Sequence, residues 1–360
     1  MLLVPGDLEA RTGGYGYDRA MVDGLRARGW QVDVCALDGS YPWPSAEARR
    51  ATAAHMDALP DNTLVLADGL AFGAMPEEAE RHASRLRLVA LVHHPLALER
   101  GLSAGQAASL FASEQRALRC VTGVVVTSAA TVSTLHPYGV PSTQVVVVPP
   151  GTDAAPEAHG WRGIDAALHP DRPVVLLCVA SITPRKGHRL LVQALHDLHG
   201  SVPWRLRVAG NELMDLATAR ALRDQVALAG LEGQVEFVGE LSSEALSDAY
   251  DHADAFVLPT YFEGYGMAVA EAVAHGLPVI STRTGAIPDL VDERSGLLVE
   301  PGDGAGLREA LRVLIEDDAV RTRLTHGARR RREGLPSWPE SVRLMADALA
   351  RWSHDGIIQR

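Results

Sequence analysis

The sequence predicts a protein of the α/β class with two domains, each holding a parallel sheet covered by helices. Apolar, strand-like runs alternate with helical segments along the chain. At 360 residues the chain is too long for one ordinary core. After a stretch rich in Gly, Pro and Ala that ends near Asp171, the same pattern restarts. We therefore expect two Rossmann-like domains, over 1–155 and 172–335, with sheets that face a central cleft, and a C-terminal segment over 336–360.

The elements follow from apolar periodicity and from Gly and Pro breaks. In the first half, the predicted strands are 2–5, 31–37, 64–67, 86–92, 121–127 and 144–148, and the predicted helices are 15–28, 46–58 and 104–118. In the second half, the predicted strands are 173–179, 204–209, 234–238, 255–258, 279–281 and 296–299, and the predicted helices include 188–198, 213–229, 267–274 and 340–352. In the last helix, Val342, Met345 and Leu349 recur at helical spacing and predict a packed face.

Composition and charge exclude several classes of protein. A formal net charge of -11 argues against a nucleic-acid-binding surface. Cys35, Cys120 and Cys178 are not spaced as metal ligands, and we expect them to pack in the core. Without a leader-like start or a membrane-length apolar run, we expect a cytoplasmic protein. The basic run 329–332 is typical of a solvated helix face, and peripheral contact with the inner membrane surface is the alternative.

Two glutamates, Glu263 and Glu271, frame a run of seven residues between two predicted strands. Gly264 and Gly266 make the first half a loop, and 267–274 has the small, apolar composition of a buried helix. The start of that helix offers unpaired N–H groups to a phosphate. A buried carboxylate without a partner is costly, which favours a binding role over a solvated helix face. The spacing suits a nucleotide-sugar, with Glu263 on the hexose and Glu271 on the ribose.

Two other loops precede helices and suit anions. Gly13 and Gly14 allow close backbone approach, although a tight turn without a ligand is the alternative. The glycine spacing does not fit a dinucleotide fingerprint, for which Asp38 would be a weak acidic partner. Arg185 and Lys186 stand before another helix and predict a diphosphate site, with a solvated basic turn as the alternative.

Polar residues also end two strands of the first half. His93 and His94 precede Pro95, where loops of active sites lie, and two structural histidines are the alternative. No ligand spacing nearby predicts a metal. Ser128 lacks the setting of a nucleophile, so we interpret it as a helix cap.

These motifs together resemble the retaining family-4 glycosyltransferases of the GT-B fold, over nearly the full chain. The run from Glu263 to Glu271 resembles the E-x7-E signature of that family. The other matching stretches are the Gly-rich loop and helix RTGGYGYDRAMVDGLRARGWQVDV, the diphosphate loop SITPRKGH, the nucleotide-binding stretch FVGELSSEALSDAYDHADAFVLPT and the C-terminal core AVAHGLPVISTRTGAIPDLVDERSGLLVEPGD. The resemblance implies an acceptor-binding N-terminal domain, a nucleotide-sugar-binding C-terminal domain, and a last helix that crosses back to the first.

The resemblance also implies roles for residues. His93, Lys186 and Glu263 would be the catalytic group, with His93 beside the transferred sugar. The donor-binding set would be Gly13, Gly14, Ser181, Arg185, Lys186, Val238, Gly239, Glu263, Gly266, Met267, Ala268 and Glu271. One departure stands out, because the family has Gly-Arg where this chain has Ala180-Ser181. Either Arg185 or Ser181 would then replace the arginine that contacts the diphosphate.

The expected reaction is hexosyl transfer from a nucleoside-diphosphate sugar to an acceptor hydroxyl, with retention and without a metal or other cofactor. The acceptor is a glycan, a lipid or a small molecule, and the sequence does not choose among them. The alternatives are a GT-B nucleotide-sugar epimerase, a hydride-transferring oxidoreductase and a non-catalytic sugar-nucleotide-binding protein. Turnover of a donor separates the last of these from an enzyme.

Overall fold

The computed structural model describes residues 1–160, 172–198 and 202–354, so the part of the predicted linker at 161–171 lies outside the described residues. Within the described residues, the strands form two six-stranded sheets whose neighbours all pair in parallel. The predicted α/β class is thereby confirmed. The chain divides into two compact units. Unit 1 comprises Met1–Gly151 together with the chain from Pro336 onward, and unit 2 comprises Thr152–Leu335.

Unit 1 has the strand order β2-β1-β3-β4-β5-β6. Its strands are β1 (Leu2–Pro5), β2 (Val34–Leu37), β3 (Leu64–Asp68), β4 (Arg87–Val92), β5 (Gly123–Val126) and β6 (Val145–Val147), and its first helices are α1 (Gly13–Ala27), α2 (Ala46–Asp57), α3 (Gly69–Phe72), α4 (Pro76–His82), α5 (Ala104–Leu118) and α6 (Ala129–Thr134). Because β2 and β3 lie on opposite sides of β1, the order reverses between β1 and β3.

Local signals account for the helix starts of unit 1. The Ser128 hydroxyl accepts the Thr131 N–H, which confirms the predicted cap of α6. A capping box of Ser103 and Gln106 begins α5. The short helices α3 and α4 were not predicted, although Pro76 at the first position of α4 is a recognised start signal.

Unit 2 has the strand order β12-β11-β10-β7-β8-β9, which reverses between β7 and β10. Its strands are β7 (Val174–Val179), β8 (Trp204–Ala209), β9 (Val235–Gly239), β10 (Ala255–Leu258), β11 (Val279–Thr282) and β12 (Gly296–Val299), and its helices are α7 (His188–His196), α8 (Leu216–Leu228), α9 (Ser243–Asp251), α10 (Met267–Ala274), α11 (Ile287–Leu290), α12 (Gly304–Glu316) and α13 (Asp318–Arg331).

One predicted helix of unit 2 begins later than its periodicity indicated. The prediction was 213–229, whereas α8 starts at Leu216. The Asn211 side chain accepts the N–H groups of Leu213 and Met214, which holds those residues in a turn. Asp215 then caps the helix by accepting the Thr218 N–H at 2.9 Å.

Each unit has its own apolar core between sheet and helices. The predicted packing of Cys178 is confirmed, since it is fully buried in β7, and burial raises the pKa of its thiol to about 12. Cys35 and Cys120 are half-buried free thiols of unit 1. The predicted core packing of these two residues is therefore only partial.

The last described helix, α14 (Trp338–His354), packs on α1 within unit 1. Its predicted face of Val342, Met345 and Leu349 is buried. A glycine permits the close approach, since a Cβ on Gly24 of α1 would lie 2.3 Å from Cγ2 of Val342. Trp352 is also buried, and its ring covers Gly123 of β5 in the same way. These contacts make α14 part of the core of unit 1.

Gly24→Ala should destabilise unit 1 by about 1–3 kcal/mol, because the new methyl overlaps Val342 and forces α14 away from α1. Gly105→Ala is the matched control, since it also adds a methyl to a helix of unit 1 but meets nothing within 4 Å. Urea unfolding of the two variants and of Gly24→Ala/Val342→Ala measures the effect. We expect the double variant to recover part of the loss; equal stability of Gly24→Ala and Gly105→Ala would contradict the packing argument.

Candidate active site

In unit 2, the loops that follow β7 and β10 leave adjacent strands at the point where the strand order reverses. In open α/β sheets ligands bind in the crevice beyond the carboxyl ends of such strands. The loop after β7 carries Ser181, Arg185 and Lys186, and the loop after β10 carries Glu263. The fold therefore brings these four predicted site residues to one crevice.

Lys186 and Glu263 form an ion pair in this crevice, with 2.5 Å between Nζ and Oε1. Arg185 Nη1 lies 3.6 Å from the same oxygen. Burial alone would raise the pKa of Glu263, but the charges of Lys186 and Arg185 outweigh it and lower that pKa. Glu263 is thus a buried, ionised carboxylate at neutral pH, with two cations beside it.

Side-chain hydrogen bonds to backbone carbonyls hold the two loops together. Arg185 Nη1 donates to the Phe262 carbonyl at 2.8 Å, and the Thr260 hydroxyl donates to the Arg185 carbonyl at 3.1 Å. Gly187 has φ +74, and a Cβ there would lie 2.1 Å from the Pro259 carbonyl oxygen. The fully buried Thr260 was missed by the sequence analysis, although it stands at the carboxyl end of a predicted strand.

Helix α10 starts immediately after this loop, with Gly266 at φ +98 before Met267. Met267 and Ala268 lie in its first turn, and Glu271 lies about one turn further along. The Tyr250 hydroxyl of α9 donates to Glu271 Oε2 at 2.9 Å and to the Ala268 carbonyl at 3.2 Å. Tyr250 was also missed, because nothing in its local sequence indicates a partner 21 residues away.

Burial raises the pKa of Glu271 to about 7, the Tyr250 hydrogen bond opposes that rise, and the charge of Asp153 adds to it. The two glutamates of the motif therefore differ in charge near neutral pH. Glu263 is ionised beside cations, whereas Glu271 is poised between its two protonation states. A ligand that donates hydrogen bonds to Glu271 would favour the ionised state.

The two remaining predicted donor residues of unit 2 lie on the same edge of its sheet, whereas Gly13 and Gly14 lie in unit 1. Val238 and Gly239 end β9, which is two strands away from β7 in the order β7-β8-β9. The Gly239 carbonyl accepts the Gly210 N–H at 2.8 Å, which ties the loop after β8 to the end of β9. This places the predicted base pocket beside, and not within, the ion-pair crevice.

In unit 1, the corresponding reversal lies between β1 and β3, and β4 is the next strand. His93 follows β4, Asp68 ends β3, and Asp18 lies on the buried face of α1. His93 Nε2 is 3.2 Å from Asp18 Oδ1 and 3.6 Å from Asp68 Oδ2. The ring meets Tyr17 edge-on at 5.3 Å between centroids. We call Asp18, Asp68 and His93 the carboxylate–histidine group.

Both carboxylates of this group were missed by the sequence analysis, yet signals existed. Asp68 directly follows the predicted strand 64–67, as His93 follows its strand. Asp18 falls in helical register with the apolar Met21, Val22 and Leu25 of α1, where a charge is out of pattern. The donor atoms of the three residues lie within 4.8 Å of one another, so the group has room for one small cation or for a shared proton.

The two predicted histidines and glycines have different surroundings. Gly14 lies next to His93, since a Cβ there would be 3.6 Å from the His93 ring, and Thr12 caps the helix that Gly13 begins. His94 turns away from that group, with Nε2 at 3.7 Å from Glu99 Oε2. Of the two histidines, His93 therefore contacts the carboxylates of the unit 1 crevice.

The basic run Arg329 to Arg332 is engaged with its own unit. Arg329 and Arg332 pair with Glu157 at 3.1 and 3.3 Å, and Arg331 donates to the Asp289 carbonyl. These contacts fasten the segment after Thr152 to α13. Peripheral membrane contact through the run stays a prediction. None of the described helices combines the length and apolarity needed to span a bilayer.

Comparison with known proteins places most of the chain in two family models. The model "Glycosyl transferases group 1" matches residues 163–331, and "Glycosyltransferase Family 4" matches 69–155. D-inositol 3-phosphate glycosyltransferase of Kineococcus radiotolerans is 32% identical over 241 residues, which cover 62% of this chain and 55% of the relative. The protein of that name in Corynebacterium efficiens is 32% identical over 192 residues, which cover 52% of this chain and 44% of the relative. The chain thus spans about half the length of the curated relatives it matches.

Solved structures share the fold at low identity. Sucrose-phosphate synthase from Thermosynechococcus elongatus superimposes with a TM-score of 0.80 at 22% identity, over 97% of this chain and 98% of that one. Anabaena HepE in complex with UDP and glucose gives 0.75 at 16%, over 97% and 99%. The predicted two-domain architecture is confirmed by this likeness.

Because Lys186 and Glu263 form a buried ion pair, substitutions of the two residues should have non-additive effects on the free energy of unfolding. We expect Lys186→Met and Glu263→Gln each to destabilise unit 2, and the double variant to lose about 1–3 kcal/mol less than the sum, because a buried charge left alone costs more than a removed pair. Urea unfolding without ligand measures the cycle. The exposed Arg312–Glu309 pair of the same unit is the control and should show a much smaller coupling. Additive losses at Lys186 and Glu263 would contradict the pairing.

Proposed function

The chain belongs to the family-4 glycosyltransferases of the GT-B fold, and on this premise we propose that it transfers a hexosyl group from a nucleoside-diphosphate sugar to an acceptor hydroxyl, with retention. The observation that carries the proposal is the crevice of unit 2, where Lys186, Arg185 and Glu263 meet at the reversal of strand order. Cations and a hydroxyl-binding carboxylate at one point suit a diphosphate joined to a sugar.

In the proposed complex, Lys186 and Arg185 contact the diphosphate, together with the N–H groups at the start of α10. Glu263 accepts hydrogen bonds from hexose hydroxyls, and its pairing with Lys186 keeps it ionised for that task. Glu271 accepts from the ribose. The Tyr250 hydrogen bond to Oε2 supports this role, because it fixes the carboxylate while leaving Oε1 to a ligand.

Arg185 is the proposed substitute for the arginine that the family has where this chain has Ser181. Its guanidinium is held by the Phe262 carbonyl at 2.8 Å and lies near Glu263. A planar donor fork fixed at this position can bind phosphate oxygens with little loss of side-chain entropy. Ser181, in the loop after β7, offers a hydroxyl contact only.

The proposed step breaks the bond between the anomeric carbon and the diphosphate oxygen as the acceptor oxygen bonds the same face of the sugar. The leaving phosphate takes the acceptor proton, and Lys186 and Arg185 stabilise its growing charge. In this proposal the positive charge comes from side chains and helix N–H groups, and no metal is invoked. His93 stands beside the transferred sugar.

A thermal-shift screen with UDP-, GDP- and ADP-sugars tests the donor, since a ligand of the native state raises the melting temperature. UDP-glucose comes first, because HepE was solved with UDP and glucose. A transfer assay with D-inositol 3-phosphate and with simple sugars then tests the acceptor. Donor binding without turnover would favour a binding protein, and conversion of the donor to its epimer would favour the epimerase.

Glu271→Gln should reduce the free energy of UDP-glucose binding more than it reduces the free energy of unfolding. Because burial raises the pKa of Glu271 to about 7 and the ionised form is the acceptor, wild-type affinity should rise about tenfold from pH 6 to pH 8. UDP-glucose has no group that titrates in this range. Calorimetry at both pH values measures the effect, and the affinity of the Gln variant should not change with pH.

Glu263→Gln is the control, measured with free UDP. Its affinity for UDP should stay the same or increase, because the substitution removes a negative charge from the diphosphate site. A pH-dependent Glu271→Gln variant would contradict the ribose assignment.

His93→Ala should reduce transfer at least tenfold while leaving the affinity for free UDP near that of wild type, because His93 is in unit 1 and the proposed nucleotide residues are in unit 2. His94→Ala is the matched control, since His94 lies beside Glu99 and not beside Asp18 and Asp68. Initial rates and UDP calorimetry on both variants measure the split. A fully active His93→Ala beside an inactive His94→Ala would exchange their roles.

A further inference from the structure

The carboxylate–histidine group buries more negative charge than its one histidine can balance. Asp18 is fully buried and Asp68 is 4% exposed. Among the described residues, His93 is the only cationic partner that either carboxylate contacts. With both carboxylates ionised, the group would carry a net negative charge in a low-dielectric site, which is costly. One proton on the pair removes that excess.

The hydrogen bonds of the group indicate which carboxyl carries the proton. Asp18 Oδ1 lies 3.2 Å from His93 Nε2 with hydrogen-bond geometry, whereas Asp68 Oδ2 lies farther from that nitrogen, at 3.6 Å. Asp68 Oδ1 accepts the Leu70 N–H at 2.7 Å, which leaves Oδ2 as the atom for a proton. Asp18 Oδ2 is buried and receives no hydrogen bond from a described N–H or hydroxyl donor. The carboxyl groups of Asp18 and Asp68 share a hydrogen bond, which contributes to the raised pKa of Asp68.

We propose that Asp68 is protonated and donates to the Asp18 carboxylate, and that Asp18 in turn holds His93 as an imidazolium at the unit 1 crevice. Asp18 and Asp68 are then positioning residues that act through His93. This inference rests on the proposed function, in which His93 lies beside the transferred sugar. The His93 side chain is 22% exposed, so its ring faces both the carboxylates and the crevice.

The titration of the group agrees with this arrangement. Burial and the charge of Asp18 raise the pKa of Asp68 to about 7. Burial would lower the pKa of His93, but the charge and hydrogen bond of Asp18 oppose burial most strongly, and the pKa is raised; the charge of Asp68 adds to this rise only once Asp68 ionises. The other titratable groups facing the pair are Tyr15 and Tyr17 of α1. Both stay neutral, because burial raises the pKa of Tyr15 to about 12 and that of Tyr17 well above its usual range.

The ionisation state of His93 is measured directly by NMR of the full chain labelled with ¹³C-histidine and ¹³C-aspartate, without substrate. We expect the His93 titration midpoint to lie above 6.5, and the Asp68 carboxyl carbon to titrate near 7. Asp18→Asn should lower the His93 midpoint by about one pH unit or more. Asp68→Asn mimics the protonated acid and should keep that midpoint above 6.5. Asp23→Asn, an exposed carboxylate on the same helix, is the control and should change neither value.

Two results would overturn the inference. One is an equal fall of the His93 midpoint in Asp18→Asn and Asp68→Asn, which would show two equivalent ionised carboxylates. The other is a stoichiometric divalent metal in the purified protein that is lost in Asp68→Asn, which would show a cation in place of the proton.

If Asp18→Asn does not fold, the His93 midpoint in Asp68→Asn and the titration of the Asp68 carboxyl group in the wild type still test the inference. In turnover, Asp18→Asn should lower kcat at least tenfold with unchanged affinity for UDP. A wild-type protein that transfers no sugar would refute the proposed function and leave the NMR result standing.

Discussion

The strand order of each sheet reverses at one place, and in each unit this reversal positions the polar residues predicted for the site. At such a place, the connections that follow two adjacent parallel strands run to opposite sides of the sheet. They leave a crevice between them at the carboxyl ends of the strands. In unit 2 the crevice lies beyond β7 and β10 and holds Lys186 and Glu263; in unit 1 it lies beyond β1 and β3 and holds Asp68. Asp68 is the last residue of its strand, and Lys186 and Glu263 stand on loops that leave buried strands, so the rigid sheet sets the position of each group.

The pKa values of three buried carboxyl groups shift in opposite directions because their surroundings differ. Glu263 is buried beside two cations, which lower its pKa. Glu271 is buried beside a tyrosine hydroxyl, and Asp68 beside another carboxylate, and the pKa of each rises to about 7. The first group is a permanent charge, and the other two respond to a ligand or to a neighbour. Division of roles among carboxylates by environment is a general way for one site to hold fixed and adjustable charges.

Sequence periodicity predicted most of the regular structure, because each element has its own local signal. Helix α5 and strand β8 have the predicted bounds 104–118 and 204–209. The E-x7-E spacing also pointed to both glutamates. What could not be predicted are partners distant in sequence, since Asp18 and His93 are 75 residues apart and meet only in the folded unit. A polar residue at the carboxyl end of a predicted strand was the signal that could identify site residues. It led to the prediction of His93, and the same signal at Asp68 was overlooked.

The interleaving of the two units has a consequence for biosynthesis. Unit 2 is continuous in sequence, whereas unit 1 needs α14, which the ribosome makes after all of unit 2. Until then the α1 surface that receives Val342 and the surface of β5 at Gly123 that receives Trp352 are uncovered. The N-terminal half of the nascent chain is therefore incomplete while the second half emerges and folds. Unit 2, although translated later, is the first that has every residue of its core.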